Sequence, residues 1–275
     1  MLICPLCHDP LTAHEHSLTC SNNHCFDQAK QGYYNLLPVQ HKNSRSPGDN
    51  QEMVLARRAF LQAQHYQPLA LRLAQLAADK QPKHWVDVGC GEGYYTDQIS
   101  QQLPSSQGYA LDISRDAVKR ASKGNPSVTW MVASMARIPL ATDSCQVFTS
   151  VFSPLDWQEA QRVLSLGGGL LRMGPCHDHL IELRRKLYDE VRHYDDEKHL
   201  QLIPNGMQLE HSEVLRYNIL LESAEDRANL LAMTPHGWRA TTERRNAVIN
   251  QPLAVTVAIR YDWIVKHEEA NHAPA

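Results

Sequence analysis

Trp85-Val86-Asp87-Val88-Gly89-Cys90-Gly91-Glu92-Gly93-Tyr94-Tyr95 is the stretch that decides how this chain folds. Trp85, Val86 and Val88 form a short apolar run of the kind that is buried in a parallel strand. Glycines follow at alternate positions, and Tyr94 to Leu103 is compatible with a helix. A strand, a glycine-rich turn and a helix in this order let the backbone approach a ligand closely and aim the helix N-terminus at it. The unit predicts a nucleoside pocket in an α/β domain.

Downstream, Gly108–Leu111 reads as a second strand ending at Asp112, about 20 residues beyond the glycines, where a carboxylate can accept ribose hydroxyls. Ser114 can cap the next helix, whose inner face carries Val118 and Ala121. Val128–Val132 is a third strand, and the loop Ala133-Ser134-Met135 after it falls where an adenine ring would be touched. Cys145–Phe152 is a fourth strand, followed by Phe152-Ser153-Pro154-Leu155 in the place of a catalytic loop. Glu159–Leu164 reads as helix, Gly167-Gly168-Gly169 as a turn, and Leu170–Met173 as a fifth strand. A charged helix is expected from His179 to His193, carrying Arg184, Arg185, Lys186 and Arg192. Such a charge run is by default a solvated face, and an RNA-facing wall is the sharper reading.

The C-terminal part departs from a dehydrogenase. Val214–Leu221 and Leu253–Ile264 alternate with β periodicity around a helix at Ala224–Met233, which suits an antiparallel hairpin at the sheet edge. With Asp87 before Gly89-x-Gly91-x-Gly93, this favours S-adenosylmethionine over NAD. The expected fold is a class I Rossmann-like methyltransferase domain over residues 81–275, its seven-stranded sheet ending in an antiparallel last strand. It follows a small N-terminal zinc-ribbon module (1–37) and a basic, helical linker (38–80).

The module rests on Cys4-Pro-Leu-Cys7 and Cys20-Ser-Asn-Asn-His24-Cys25. Two such pairs about a dozen residues apart can close a tetrahedral zinc site, with Cys4, Cys7 and Cys20 as ligands and His24 or Cys25 as the fourth. The bland alternative is a set of incidental buried thiols. A redox Cys-x-x-Cys lacks the surrounding βαβ pattern. So small a module cannot build its own core, which makes the metal the source of its stability.

Residues 26–37, with Tyr33 and Tyr34, are expected to form short strands against this module. The polar segment Gln40–Asp49 reads either as a solvated loop or as an arm facing substrate. Beyond it, Met53, Ala56, Phe60 and Ala63 lie on one helical stripe, with Arg57 and Arg58 on another. Pro68 opens a second helix. Tyr66 falls at the break, near the entrance of the pocket if the helix packs on the main sheet; more often such a Tyr is a half-buried packing residue.

A length of 275 residues accommodates one large and one small domain. The net charge of −3 argues against a wholesale nucleic-acid coat but permits a local basic cleft. No apolar run reaches the length of a membrane span, and the N-terminus does not read as a signal peptide. Seven cysteines, four of them in the first 25 residues, favour metal over disulfides in a reducing compartment. A cytoplasmic location is expected.

Cys-Pro-Leu-Cys at 4–7, Gly-Tyr-x-Asn-Leu-Leu-Pro-Val-Gln-His-Lys at 32–42, Pro-Gly-Asp at 47–49, Ala-Arg-Arg-Ala-Phe-Leu at 56–61 and the glycine loop together carry a resemblance. Met-Thr-Pro at 233–235 with Trp238-Arg239 adds to it. Over nearly the whole chain, the sequence resembles the bacterial 23S ribosomal RNA guanine-N1 methyltransferases, which use zinc and S-adenosylmethionine. The resemblance implies His24 as the fourth zinc ligand, and cofactor contacts at Tyr66, Gly91, Glu92 and His179. It also implies a homodimer whose zinc modules flank a cleft for an RNA hairpin, and the linker leans towards the Gram-negative type that modifies guanosine 745. Two departures stand out: Phe-Ser-Pro-Leu replaces an aromatic-Ala-Pro-Cys loop, and His177 competes with His179, which is preferred because Leu-x-Glu-Leu follows it.

The expected site therefore comprises Tyr66, Asp87, Gly89, Gly91, Glu92, Gly93, Asp112, Ser134 and His179 for the cofactor. Lys42, Arg45, Arg57, Arg58, Arg184 and Arg185 are assigned to phosphates, with Phe152 or Tyr66 stacking on a base or on the adenine. A methyl transferred to guanine N1 displaces a proton, and His179 and Asp49 are the candidate acceptors, with water a third. Because N1 lies on the pairing edge, the target guanine must be unpaired or flipped out. Two other classes compete: a methyltransferase for another RNA or small molecule, and a non-catalytic zinc-ribbon binding protein. The intact Asp87, glycine and Asp112 set argues against the second.

Overall fold

The zinc-ribbon residues hold little apolar side-chain volume, so their chain turns tightly and pairs in short lengths. In the computed structural model, which describes residues 1–38, 51–192 and 194–268, this part carries a three-stranded antiparallel sheet of β1 (Thr12–Ala13), β2 (Ser17–Thr19) and β3 (Cys25–Asp27). It is anchored to the rest of the chain at its start: Ile3 N donates to Pro139 O and Ala141 N to Met1 O. Leu18 joins the core cluster that contains Ile138 and Leu140.

Phe26 and Asp27 pair within the module as expected, whereas the strand β4 (Tyr33–Asn35) corrects the expectation for the later residues up to 37. It runs parallel to β7 (Val128–Val132) and forms the edge of the main sheet, meeting the module at the Gln28–Tyr34 bridge. Tyr33 is buried there, and the apolar Leu36 and Leu37 continue into the core. The chain thus enters the large domain before residue 38.

Helices α1 (Gln51–Gln62) and α2 (Gln67–Ala78) break where predicted, with Pro68 in the first turn of α2. The buried stripe of α1 is Val54, Ala56, Phe60 and Leu61, and Ala63 is exposed. Burying Phe60 completely is worth about 2–3 kcal/mol of transfer free energy.

The centre is β5 (His84–Val88), flanked by β6 (Gln107–Asp112) and β8 (Cys145–Val151), with both faces covered, which explains its unbroken apolar run. Between them lie α3 (Tyr94–Gln102) and α4 (Arg115–Gly124); Ser114 caps α4 by accepting from Ala117 N. After α5 (Trp157–Val163) the chain enters β9 (Leu164–Pro175). The three glycines do not turn the chain. They sit inside β9 as a bulge against β8, where the register jumps from Cys145–Leu164 to Val147–Gly169.

The long charged helix of the sequence reading shrinks to α6 (Ile181–Leu187). Beyond it come the edge strand β10 (Met207–Leu221), the helices α7 (Ala224–Met233), α8 (Pro235–Arg239) and α9 (Thr242–Ile249), and β11 (Leu253–Lys266). The order is β10-β11-β9-β8-β5-β6-β7-β4, and only β11 runs against its neighbours. This is the predicted seven-stranded arrangement with its last strand reversed, extended by β4. No helix among the described residues is long and apolar enough to cross a membrane.

Candidate functional site: a metal cluster and a cavity at the strand ends

The four donor atoms of Cys4, Cys7, Cys20 and His24 lie within 4.8 Å of one another. Cys4 Sγ and Cys20 Sγ are each 3.4 Å from His24 Nδ1, and Cys7 Sγ is 3.6 Å from Cys20 Sγ. Bond lengths of about 2.3 Å for Zn–S and 2.0 Å for Zn–N give tetrahedral edges of roughly 3.5–3.8 Å. The donors therefore fit zinc. Cys25 is exposed and its sulfur faces Asp27, outside the cluster. Since Cys20 N also donates to His24 O, the loop itself turns His24 inward.

A cavity of about 960 Å³ opens at the C-terminal ends of β5, β6, β8 and β9, the place where open α/β sheets bind ligands. It is lined by Gly89, Gly91 and Glu92 on one side and by Asp112 and Ser134 on the next. Asp112 Oδ2 accepts from Gly91 N at 3.0 Å and Oδ1 from Ser114 N at 2.7 Å, so the carboxylate is fixed at the loop. Ser134 Oγ accepts from Ala136 N. Gly89, at φ +79°, lies so near Ser153 that a Cβ would meet that side chain at 2.6 Å. The Phe-Ser-Pro-Leu loop thus packs directly on the glycine turn.

Of two further expected cofactor residues, Asp87 lines the cavity from beneath the loop and Gly93 does not line it. Asp87 is 1% exposed, and its oxygens accept from Thr96 Oγ1 at 2.6 Å and Thr149 Oγ1 at 2.8 Å. It stitches β5 to α3 and β8 beneath the loop, and burial raises its carboxyl to about 6. Gly93 does not line the cavity: a Cβ there would meet the Trp130 ring at 2.7 Å and Ala121 at 3.0 Å. Its role is the close approach of α3 to the strand beneath.

An aromatic wall faces the loop. Tyr66 is buried, T-shaped against Phe60, with His179 and Phe152 beyond it at ring distances of 6.1 and 6.4 Å. Ala258 N donates to His179 Nδ1 at 3.3 Å, so the neutral ring carries its hydrogen on Nε2 and donates to Tyr66 Oη, also at 3.3 Å. Burial lowers His179 to about 3. With Nδ1 filled and Nε2 donating, His179 has no free lone pair, which corrects its assignment as proton acceptor. Phe152 sits at φ +50°, a left-handed conformation unusual for an aromatic residue, and remains 43% exposed on the cavity. Its N–H donates to Met173 O, which holds the turn.

The basic residues separate. Arg57 lines the cavity beside Gly91, whereas its neighbour Arg58 is exposed and is not among the lining residues. Arg184, expected at phosphates, is 5% exposed and donates to the carbonyls of His177 and Arg192. That correction follows from packing: α6 is short and Arg184 points back under its loop. Arg185 is exposed. Lys42, Arg45 and Asp49 lie outside the described residues.

Sequence reading overlooked the far wall, built from Met233 to Arg239, and Tyr95. Tyr95 Oη is buried without a hydrogen-bond partner among the described residues, on a ring 6.3 Å from Phe152. An orphaned hydroxyl in the same cavity as a fixed carboxylate and a glycine turn fits a polar nucleoside ligand such as S-adenosylmethionine. Its only sequence signal was its place two residues after Gly93.

Residues 2–45 match the zinc-ribbon family described as "RlmA, N-terminal", and residues 86–173 match a methyltransferase domain family. The fold is similar to that of a Bacillus halodurans chain named for methyltransferase activity (TM-score 0.50, 17% identity, covering 72% of this chain and 98% of that one), which speaks for the fold alone. A 23S rRNA (guanine(748)-N(1))-methyltransferase of Streptomyces fradiae is 32% identical, covering 94% of this chain and 95% of the relative. A Micromonospora griseorubida chain named for the same guanine-N1 reaction has the same identity and coverage. Identity at that level across both modules places this chain in the 23S rRNA (guanine-N1)-methyltransferase family.

Proposed function

We propose that this protein transfers the methyl group of S-adenosylmethionine to N1 of a guanosine in a hairpin loop of 23S ribosomal RNA. The observation that carries the reading is one continuous cavity, in which the Gly89–Glu92 turn and Asp112 adjoin an exposed aromatic side chain, Phe152. The first half suits the cofactor and the second an unstacked base.

Asp112 would hold the ribose hydroxyls, Ser134 the adenine edge, and Gly89, Gly91, Glu92, Tyr66 and His179 the rest of the cofactor. The sulfonium supplies an already reactive methyl group. The chain's own task is then to orient the base, exclude water and accept a proton. Tyr66, kept protonated by burial and fixed by His179, supplies a donor inside the cavity. Asp87 keeps the glycine turn in register and touches no reactant.

Arg185 and Arg58, both exposed, together with Lys42 and Arg45, are the assigned phosphate contacts. Guanosine 745 as the target, a homodimer around the hairpin and a cytoplasmic location belong to the same reading. The test is methylation of a 23S hairpin transcript with labelled S-adenosylmethionine, followed by nucleoside mass spectrometry. One equivalent of 1-methylguanosine is expected at one position. Methyl at another atom, or on no RNA, overturns the substrate assignment, and sedimentation checks the dimer.

A further inference from the structure

Methylating N1 requires a group that takes the N1 proton, and His179 has no lone pair to offer it. Among the described carboxylates, Asp87 is buried beneath the loop between two threonine hydroxyls, Asp112 accepts from Gly91 N and Ser114 N, and Glu92 lies in the glycine turn. Among the described residues, two imidazoles line the cavity, His179 and His236. They differ in one decisive respect.

His179 Nδ1 faces a backbone amide, which can only donate. His236 Nδ1 faces Tyr188 Oη at 3.0 Å, a hydroxyl that can donate or accept. The His236 ring is therefore free to carry its hydrogen on Nδ1, donated to Tyr188, leaving a lone pair on Nε2. When Nε2 takes a proton, the Nδ1–H donation to Tyr188 is unchanged and becomes charge-assisted. Nε2 has no hydrogen bond to any described residue.

His236 is also held firmly. It lies on α8, whose Gly237 passes so close to the end of α7 that a Cβ would collide with Leu231 O. Tyr188, just past α6, meets the ring edge-on at 5.7 Å. The charged or titratable groups facing it are Arg184 and Tyr188 from the α6 region, His179 from the preceding loop and Arg239 on α8 itself. Burial, with Arg184 and Arg239, keeps the imidazole below its usual range and so neutral at pH 7.

We propose that His236 is the general base of this enzyme, with Tyr188 as its positioning residue; the inference rests on guanine N1 as the methyl acceptor. The N1–H bond breaks and its proton passes to His236 Nε2. N1 forms a bond to the methyl carbon as the carbon–sulfur bond breaks, and that electron pair stays on sulfur as a neutral thioether. The positive charge of the sulfonium leaves as the imidazolium proton, which is released to solvent.

The test compares wild type and His236→Gln at saturating cofactor and RNA hairpin across pH 5 to 9. The variant should lose roughly 10²-fold in kcat, as removal of a general base does, with its cofactor Kd unchanged. The wild-type kcat should fall as pH drops through the His236 pKa, and the variant should lack that acid limb. Nitrogen-15 spectra of histidine-labelled protein with the hairpin, without cofactor, should show a bare Nε2 at His236 and a protonated Nε2 at His179. A variant kcat within threefold of wild type, an unchanged acid limb, or a protonated His236 Nε2 in neutral complex overturns the inference. If His236→Gln fails to fold, Tyr188→Phe serves: a shifted acid limb supports the base, and an unmoved one overturns it. If wild type itself makes no 1-methylguanosine, the substrate reading has failed instead.

Discussion

His179 Nε2 and Tyr66 Oη lie 3.3 Å apart, and the backbone amide of Ala258, donating to the other ring nitrogen, decides which of them donates. The strand next to the sheet's edge thus sets the hydrogen direction of a phenol on the aromatic wall of the cavity. Tyr66 has its own hydrogen left for a ligand. Replacing it by Phe keeps the ring packing on Phe60 and should weaken S-adenosylmethionine binding about tenfold, the scale of one hydrogen bond. Calorimetry with S-adenosylhomocysteine checks this, and an unchanged Kd would mean that the hydroxyl points away from the ligand.

Zinc content should distinguish the adjacent residues His24 and Cys25. His24→Ala removes a donor from the cluster and should drop bound zinc well below one per chain, while Cys25→Ser should retain it. Chelation should loosen residues 1–30 to protease and leave the main sheet melting cooperatively, since its core lies elsewhere. Equal zinc in both variants would refute the ligand set.

Asp87 gives a pH signature. Its folded carboxyl is raised to about 6 from an ordinary value near 3.8, so between those values the native state holds the extra proton. This contribution to stability is complete below about pH 3.8 and is lost as pH rises through about 6. Asp87→Asn should therefore flatten the stability profile between pH 4 and 6.5 in denaturant titrations. A slope identical to wild type would place the titration on another group.

Arg184 and Arg185 are neighbours with opposite fates. Arg184→Ala should cost on the order of 2 kcal/mol, because two loop carbonyls lose a buried donor, and should leave the salt dependence of RNA binding unchanged. Arg185→Ala should leave the melting temperature alone and lower the salt slope of hairpin binding by about one. Filter binding from 50 to 200 mM salt reads both, and a reversed pattern would put Arg184 on the RNA.

Gly93→Ala should be destabilising by roughly 2–4 kcal/mol, because the Cβ enters the Trp130 ring at a backbone φ of +89°. A melting temperature within a degree of wild type would show that α3 can shift to make room.

Local sequence determined the strand–turn–helix unit at Trp85–Tyr95, the reversed last strand and the cysteine spacing. Each is a matter of periodicity or of backbone freedom within about a dozen residues. Tertiary structure decided what required distant partners. Tyr33–Asn35 left the metal module because Val128–Val132 offered it an open sheet edge. The glycines at 167–169 became a bulge because β8 continued beside them. Arg184 went inward because two loop carbonyls awaited a donor. His24 and Cys25 stood equal by spacing, and only the direction of the folded loop separated them. The cavity's two imidazoles differ because one meets an amide and the other a hydroxyl, and no reading of the chain in order places Ala258 against His179 or Tyr188 against His236.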